Sequence, residues 1–253
     1  MSKTTIWILT CVGVAALVVL LFVALPKISK DNDDPTCESY LETETSGKVE
    51  DVLVLIDVPD NGAESASQIA RDVSSQLNTI VVAEKQVRIT GLVYGGEGSP
   101  ARIRCMDEAT YSFTGNSKRQ SEHAEVVRTD IEEAVKASVR GTAVGDSGDF
   151  RALFRQGSPD TADADQVLLW SSMVSNGSDC LDLDSEKDTP VSEKFAKAVV
   201  KRCADANLLP TATPASVRVL GAGYSPDDPN LVAWGEYFAD AVCPQLSSKC
   251  EVD

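Results

Sequence analysis

The chain alternates between short runs of apolar residues and longer segments in which apolar residues recur every fourth position. Runs that are apolar throughout, and rich in Val, Leu and Ile, are typical of strands buried on both faces of a parallel sheet. Such strands are predicted at residues 52–58, 87–94, 166–174 and 217–220, the last of them the final strand. Residues 101–114 alternate more loosely, which predicts an edge strand that ends near Tyr111.

The segments between these runs have the spacing of amphipathic helices, as Val127, Ile131 and Val135 illustrate. The predicted helices cover residues 63–79, 122–139, 149–156, 190–207 and 231–242. Strands that alternate with helices predict an α/β fold. We expect a three-layer sandwich whose central sheet is mostly parallel and doubly wound. Ligands of such sheets bind where the strands end, at their carboxyl edge.

The amino-terminal segment has a different pattern, because Ile6 to Leu25 is twenty residues without a charge. A helix of that length spans roughly 30 Å, the thickness of a bilayer's hydrocarbon core. A cleaved signal peptide has a shorter apolar region, of about 7–15 residues, and a small-x-small site that is not evident here. We therefore expect a single-pass membrane protein. Its predicted parts are an anchor at 1–30, an acidic linker at 31–49, a domain at 50–245 and a carboxyl-terminal tail at 246–253.

Six cysteines lie beyond the anchor, which contains the seventh, Cys11. An even number fits disulfide bonds in an exported domain, so we expect the domain on the extracytoplasmic side. Buried thiols in a cytosolic domain are the alternative. Proximity in sequence favours Cys180 with Cys203 and Cys243 with Cys250, which leaves Cys37 for Cys105.

The charge of the chain beyond the predicted anchor excludes one class of partner. Residues 1–30 hold three lysines and no acids, so the rest of the chain has 20 basic and 39 acidic residues, a formal charge of −19. A surface this acidic does not bind nucleic acid or an anionic membrane through a basic face. We expect contact with a membrane through the amino-terminal helix alone.

Four segments occur in the order expected for the sheet of one known family. They are IDVPDNGAESASQIARDV, GDSGDFRALF, VLLWSSMVSNG and VRVLGAGYSPDDPNLVAWGEYF. Over residues 50–245 this order resembles the von Willebrand factor A family. The resemblance implies a metal-ion-dependent adhesion site, in which DxSxS follows the first strand, a Thr lies in a middle loop, and an Asp follows the fourth strand. Oxygen ligands of this kind suit Mg²⁺.

The chain departs from that ligand pattern at most positions. Asp57 matches the first Asp, but Pro59 and Asn61 stand where the two serines are expected. Gly148 replaces the Thr, beside Ser147, and Ser172 replaces the second Asp. We therefore expect no bound metal or other cofactor. Mg²⁺ on Asp57 and Asn61 is the alternative.

These observations predict an extracytoplasmic binding module that contacts a protein partner or helps to assemble an envelope complex. The residues expected at its binding edge are Asp57, Asp60, Asn61, Ser147, Asp149 and Ser172. A hydrolase that uses Asp57 at the same edge is the alternative function, and a tethered solute-binding module is a third. His123, the only histidine, is expected to be exposed to solvent, and Trp170 is expected in the core.

Overall fold

A computed structural model describes residues 37, 48–58, 62–84, 86–95, 100–112, 117–139, 163–174, 180, 189–209, 214–224 and 229–253. All of them belong to one compact unit, residues 35–253. The predicted membrane anchor, Ile6 to Leu25, lies outside the described residues. Of the helices within the described ranges, none is both long and apolar enough to cross a membrane.

The described elements alternate between strands and helices as the apolar pattern predicts. The strands are β1 (Glu50–Asp57), β2 (Gln86–Tyr94), β3 (Ala101–Arg102), β4 (Ala109–Ser112), β5 (Gln166–Trp170), β6 (Ser216–Leu220) and β7 (Cys250–Val252). The helices are α1 (Gly62–Glu84), α2 (Ser117–Val139), α3 (Glu193–Asp205) and α4 (Pro229–Leu246). A 3₁₀ helix, Arg104–Met106, lies between β3 and β4.

The seven strands form one sheet in the order β3-β2-β1-β5-β6-β7, with β4 also paired to β2. The five strands β1, β2, β5, β6 and β7 are parallel. The short β3 and β4 run antiparallel to β2 and share its outer edge. This arrangement confirms the predicted α/β architecture with a mostly parallel sheet. The direction of winding reverses between β1 and β5, which makes their carboxyl ends the topological switch point.

Helices cover both faces of the sheet. Alternate residues of β1 point to opposite faces, so Val54 and Ile56 pack with α1 and α2, whereas Leu55 packs with α3 and α4. The predicted apolar stripe of α1 is buried, since Ile69 and Leu77 are at most 1% exposed. Two apolar cores therefore lie on either side of the sheet and fix the position of its carboxyl edge.

Three elements differ from the sequence prediction. β5 ends at Trp170 and not at Val174, because the backbone leaves the sheet at Ser171 and Met173 adopts a left-handed conformation with φ 57°. The single edge strand expected within 101–114 is divided into β3 and β4 by the 3₁₀ helix. The prediction that 217–220 is the last strand is wrong, because residues 250–252 of the expected tail form β7 beside β6. The predicted helix at 149–156 lies outside the described residues.

The three disulfide bonds are the three predicted pairs, which confirms this prediction. Cys180–Cys203 and Cys243–Cys250 close loops with sequence separations of 23 and 7. Cys37–Cys105 spans 68 positions and joins Cys37, which precedes β1 in the chain, to the 3₁₀ helix. Disulfides of this kind typically contribute about 2–4 kcal/mol each by restricting the unfolded chain.

Candidate functional site

The candidate site lies at the carboxyl edge of the sheet, where β1 and β5 end next to one another. Of the six residues predicted there, the structure describes two, Asp57 and Ser172. They are 5% and 6% exposed, so neither presents its side chain freely to solvent. Asp60, Asn61, Ser147 and Asp149 lie outside the described residues.

Asp57 is the last residue of β1, and its carboxylate is bound from the neighbouring strand. The hydroxyl of Ser171 donates a hydrogen bond to Asp57 Oδ2 at 3.0 Å. The same hydroxyl accepts the backbone N–H of Met173 at 3.1 Å. Ser171 is fully buried and comes directly after β5, so it links the ends of the two central strands. A buried carboxylate needs such donors to offset the loss of water.

Ser172 is turned towards the next loop and not towards Asp57. Its backbone carbonyl accepts the N–H of Gly223 at 3.0 Å, and its hydroxyl accepts the N–H of Val174 at 3.4 Å. The first contact holds the loop after β5 to the loop after β6, and the second lies within the loop after β5. The resemblance placed Ser172 at the metal-ligand position, but the residue that contacts Asp57 is its neighbour Ser171.

The edge beside β5 and β6 is closed by the first turns of α4. A methyl group added at Gly235 would lie 2.4 Å from the backbone nitrogen of Gly223 and 2.4 Å from the carbonyl oxygen of Ser172. Gly223 has φ +74°, and a methyl group added there would lie 2.4 Å from the carbonyl oxygen of Val232. Only glycine lets the two backbones approach this closely. This part of the edge therefore has no room for a small-molecule substrate.

The backbone N–H groups along this edge are also used within the protein. Those of Ser171, Met173, Val174, Gly223 and Tyr224 each donate to a described oxygen. An oxyanion hole or a phosphate cradle requires N–H groups that point at the ligand instead. The N–H of Ser171 bonds to β6 and that of Gly223 to the loop after β5, whereas the other three bond within their own loops. These five groups therefore serve the fold and do not offer donors for chemistry.

A second cluster of polar side chains lies between β4 and α2, beside the outer edge of the sheet. The hydroxyl of Tyr111 donates to the carbonyl of Cys105, and the rings of Tyr111 and His123 are 4.5 Å apart. Asp130 accepts the N–H of Cys105 at 2.5 Å and lies 3.2 Å from the guanidinium of Arg104. We call these five residues the edge cluster.

Burial changes the titration of two members of the edge cluster. His123 is 3% exposed, so the prediction that it faces solvent is wrong. Loss of water lowers the pKa of His123 from its ordinary value of 6.5 to about 4, which keeps the ring neutral at physiological pH. Burial, and secondarily the charge of Asp130, raises the pKa of Tyr111 well above its ordinary range.

Sequence reasoning missed both the role of Ser171 and the burial of the edge cluster. Ser171 and Ser172 are adjacent, and only the point at which β5 ends decides which of them faces Asp57. His123 and Asp130 are seven positions apart, a helical spacing that places them on the same face as Val127. That spacing was a usable signal for the burial of His123.

Comparison with known proteins adds little. No family model matches the chain, and no curated protein matches it. Among solved structures, it is similar to proximal thread matrix protein 1 from the mussel byssus, at 11% identity and a TM-score of 0.33. It is also similar to the human COPII-coat protein Sec24c, at 10% identity and a TM-score of 0.36. The matches cover 81% and 86% of this chain but only 41% and 31% of those proteins.

Proposed function

We propose that the chain is a membrane-anchored, extracytoplasmic binding module with a von Willebrand factor A-like domain. It binds a protein partner at the carboxyl edge of its sheet, without catalysis and without a bound metal. The layered sheet and the three disulfides support this assignment. The observation that carries it is the bonding of Asp57 by Ser171, which occupies the carboxylate where the family's metal site would lie.

The groups around Asp57 are the reason why we propose binding without a metal ion. Mg²⁺ requires a nearly octahedral set of oxygen ligands and gives up its water reluctantly. Here the Ser171 hydroxyl donates a hydrogen bond to the carboxylate, the Ser172 hydroxyl accepts the N–H of Val174, and Pro59 has no side-chain oxygen. A single carboxylate without a surrounding set of oxygen ligands is a poor site for such an ion.

The burial of Asp57 also argues against the alternative hydrolase. A nucleophilic or basic carboxylate must come within about 3 Å of a substrate atom. Asp57 is 5% exposed, and the adjoining backbone N–H groups of Ser171 and Met173 already donate hydrogen bonds within the protein. The edge therefore has the character of a protein surface that can be contacted from outside but does not enclose a ligand.

Charge indicates the kind of partner. The domain and linker have a formal charge of −19, and acidic residues follow two of the central strands: Asp60 after β1, and Asp227 and Asp228 after β6. Complementary charge accelerates association and selects partners. The partner we propose is accordingly a protein with a basic surface.

Site-specific photocrosslinking of the full chain in its native membrane tests this proposal. A photoreactive residue at Val174 or Ala222, both half-buried at the carboxyl edge, is expected to give one protein adduct whose yield falls at high salt. Lys249, at the opposite end of the sheet, is the matched control position and is expected to give none. Equal adducts from Lys249, or none from the carboxyl edge, would contradict the proposal.

The two alternatives have their own measurements. Titration with Mg²⁺, Mn²⁺ or Ca²⁺ is expected to leave the melting temperature unchanged in the wild type and in Asp57→Asn. A shift confined to the wild type would restore the metal site. A panel of phosphatase and esterase substrates is expected to show no turnover. Turnover that Asp57→Asn abolishes would favour the hydrolase.

A further inference from the structure

Three potential metal ligands meet away from the carboxyl edge. The sulfur atoms of Cys37 and Cys105 and a carboxylate oxygen of Asp130 all lie within 4.8 Å of one another. They come from three separate parts of the chain: the residue before the sheet, the 3₁₀ helix and α2. While the disulfide is closed, its sulfurs are bonded to each other and are not available as ligands.

Asp130 is already held in place for coordination. Its carboxylate is 5% exposed, and the backbone N–H of Cys105 donates to its Oδ2. Contacts of this kind orient a ligating side chain and strengthen metal binding. The other oxygen pairs with Arg104, whose side chain is 75% exposed. Because the guanidinium of Arg104 can return to water, a metal ion that replaces it on this oxygen leaves no unpaired charge in the interior.

The surroundings of Cys105 are buried and largely apolar. Cys105, Met106 and Tyr111 are fully buried, and the Tyr111 hydroxyl binds the Cys105 carbonyl. An apolar shell lowers the local dielectric, which strengthens the attraction between a cation and its anionic ligands. The same shell fixes the direction of the Cys105 side chain.

We propose that reduction of the Cys37–Cys105 disulfide creates a Zn²⁺ site formed by both thiolates and Asp130. A dithiol reductant supplies two electrons and two protons, which convert the disulfide into two thiols while the reductant becomes a cyclic disulfide. Zn²⁺ then displaces both thiol protons into solvent, and water occupies the fourth position. The ion's two charges offset two of the three anionic ligands.

The required movement is small. Zinc binds thiolate at about 2.3 Å, so two thiolates on a tetrahedral ion stand roughly 3.7 Å apart. The sulfurs must therefore separate on reduction, and the carboxylate oxygen must approach by about 1 Å. The link between Cys37 and the 3₁₀ helix would therefore persist in both redox states. The disulfide ties Cys37 to the 3₁₀ helix when oxidised, and zinc ties it there when reduced.

Cobalt titration of the full chain tests the site, because thiolate-to-cobalt charge-transfer absorption counts the sulfurs on the ion. After reduction with a phosphine, the wild type is expected to bind Co²⁺ through two thiolates and to release it to Zn²⁺. The oxidised chain is expected to show no such absorption. Asp130→Asn is expected to weaken binding at least tenfold, and Cys37→Ser is expected to abolish the two-thiolate spectrum. Asp107→Asn, an exposed neighbour, is the matched control and should bind as the wild type does.

The other two disulfides also open on reduction, so Cys180→Ser is compared under the same conditions and should leave the signal unchanged. Near-ultraviolet circular dichroism from Trp170 and Trp234 reports whether the reduced chain stays folded. Equal cobalt affinity in Asp130→Asn and the wild type would show that the thiols alone bind, and would overturn the proposal. So would a folded, reduced chain without the absorption, or a chain that unfolds on reduction, since the three donors would then no longer meet.

Discussion

Asp57 and Asp130 are both buried carboxylates, each 5% exposed, but their environments differ. Asp57, at the carboxyl edge, accepts a hydrogen bond from a neutral hydroxyl between two parallel strands. Asp130, in the edge cluster, accepts from a backbone N–H and pairs with an arginine that reaches into solvent. At the carboxyl edge the carboxylate thus has a neutral donor, whereas the edge cluster also includes a charged partner and a titratable ring. Packing should therefore govern the stability of the first region, and pH and redox state that of the second.

The largest expected effect concerns the glycine contact that closes the carboxyl edge. Gly235→Ala is expected to lower the free energy of unfolding by about 3 kcal/mol or more, because its methyl group would overlap backbone atoms that no rotamer change can move. Chemical denaturation measures the change. Ala241→Gly, in the same helix, is the control and should cost about 1 kcal/mol. Equal losses in both variants would mean that the edge is loosely packed.

Acid should destabilise the edge cluster through His123. Its pKa is about 4 in the folded protein and about 6.5 when unfolded, so the unfolded chain binds a proton first as pH falls. The stabilisation is fully present above about pH 6.5 and is lost progressively down to pH 4, by about 3 kcal/mol in total. Denaturation of the wild type and of His123→Phe across this range isolates the contribution. Parallel curves would show that His123 is already protonated or exposed in the folded state.

Ser171 and Ser172 offer a paired test within the carboxyl edge. Ser171→Ala removes the hydrogen bond to a buried carboxylate and the acceptor for Met173, and is expected to cost about 2 kcal/mol. Ser172→Ala removes only a 3.4 Å contact and should cost about 0.5 kcal/mol. The melting temperatures of both variants measure these two losses of stability. The reverse order of effects would place Ser172, and not Ser171, against Asp57.

The smallest expected difference compares the two aspartates directly. Asp57→Asn keeps an oxygen that can accept from Ser171, so the expected loss is about 0.5 kcal/mol. Asp130→Asn also loses the pairing with Arg104 and should cost about 1.5 kcal/mol. Raising the salt concentration should reduce the effect of Asp130→Asn but not that of Asp57→Asn. Equal salt dependence would remove the distinction between the two regions.

Much of the fold was predictable because buried strands and amphipathic helices leave strong local patterns. The run from Val52 to Val58 predicted β1 to within two residues, and Ile69 and Leu77 marked the buried face of α1. Two disulfide pairs also followed from proximity in sequence, and Cys37 with Cys105 was the pair that remained. The candidate site was less predictable, because adjacent serines differ only in which way the backbone turns after Trp170.

The sequence by itself determined the alternation of the central strands and helices, the mostly parallel character of the sheet and two of the three cysteine pairs. Each of these depends on periodicity or on short separations along the chain. Only the tertiary structure decided that β7 joins β6, that Ser171 binds Asp57, and that His123 and Asp130 are buried beside a disulfide. These features arise from contacts between residues distant in sequence, whose free energies depend on the local packing of neighbours that no single segment specifies.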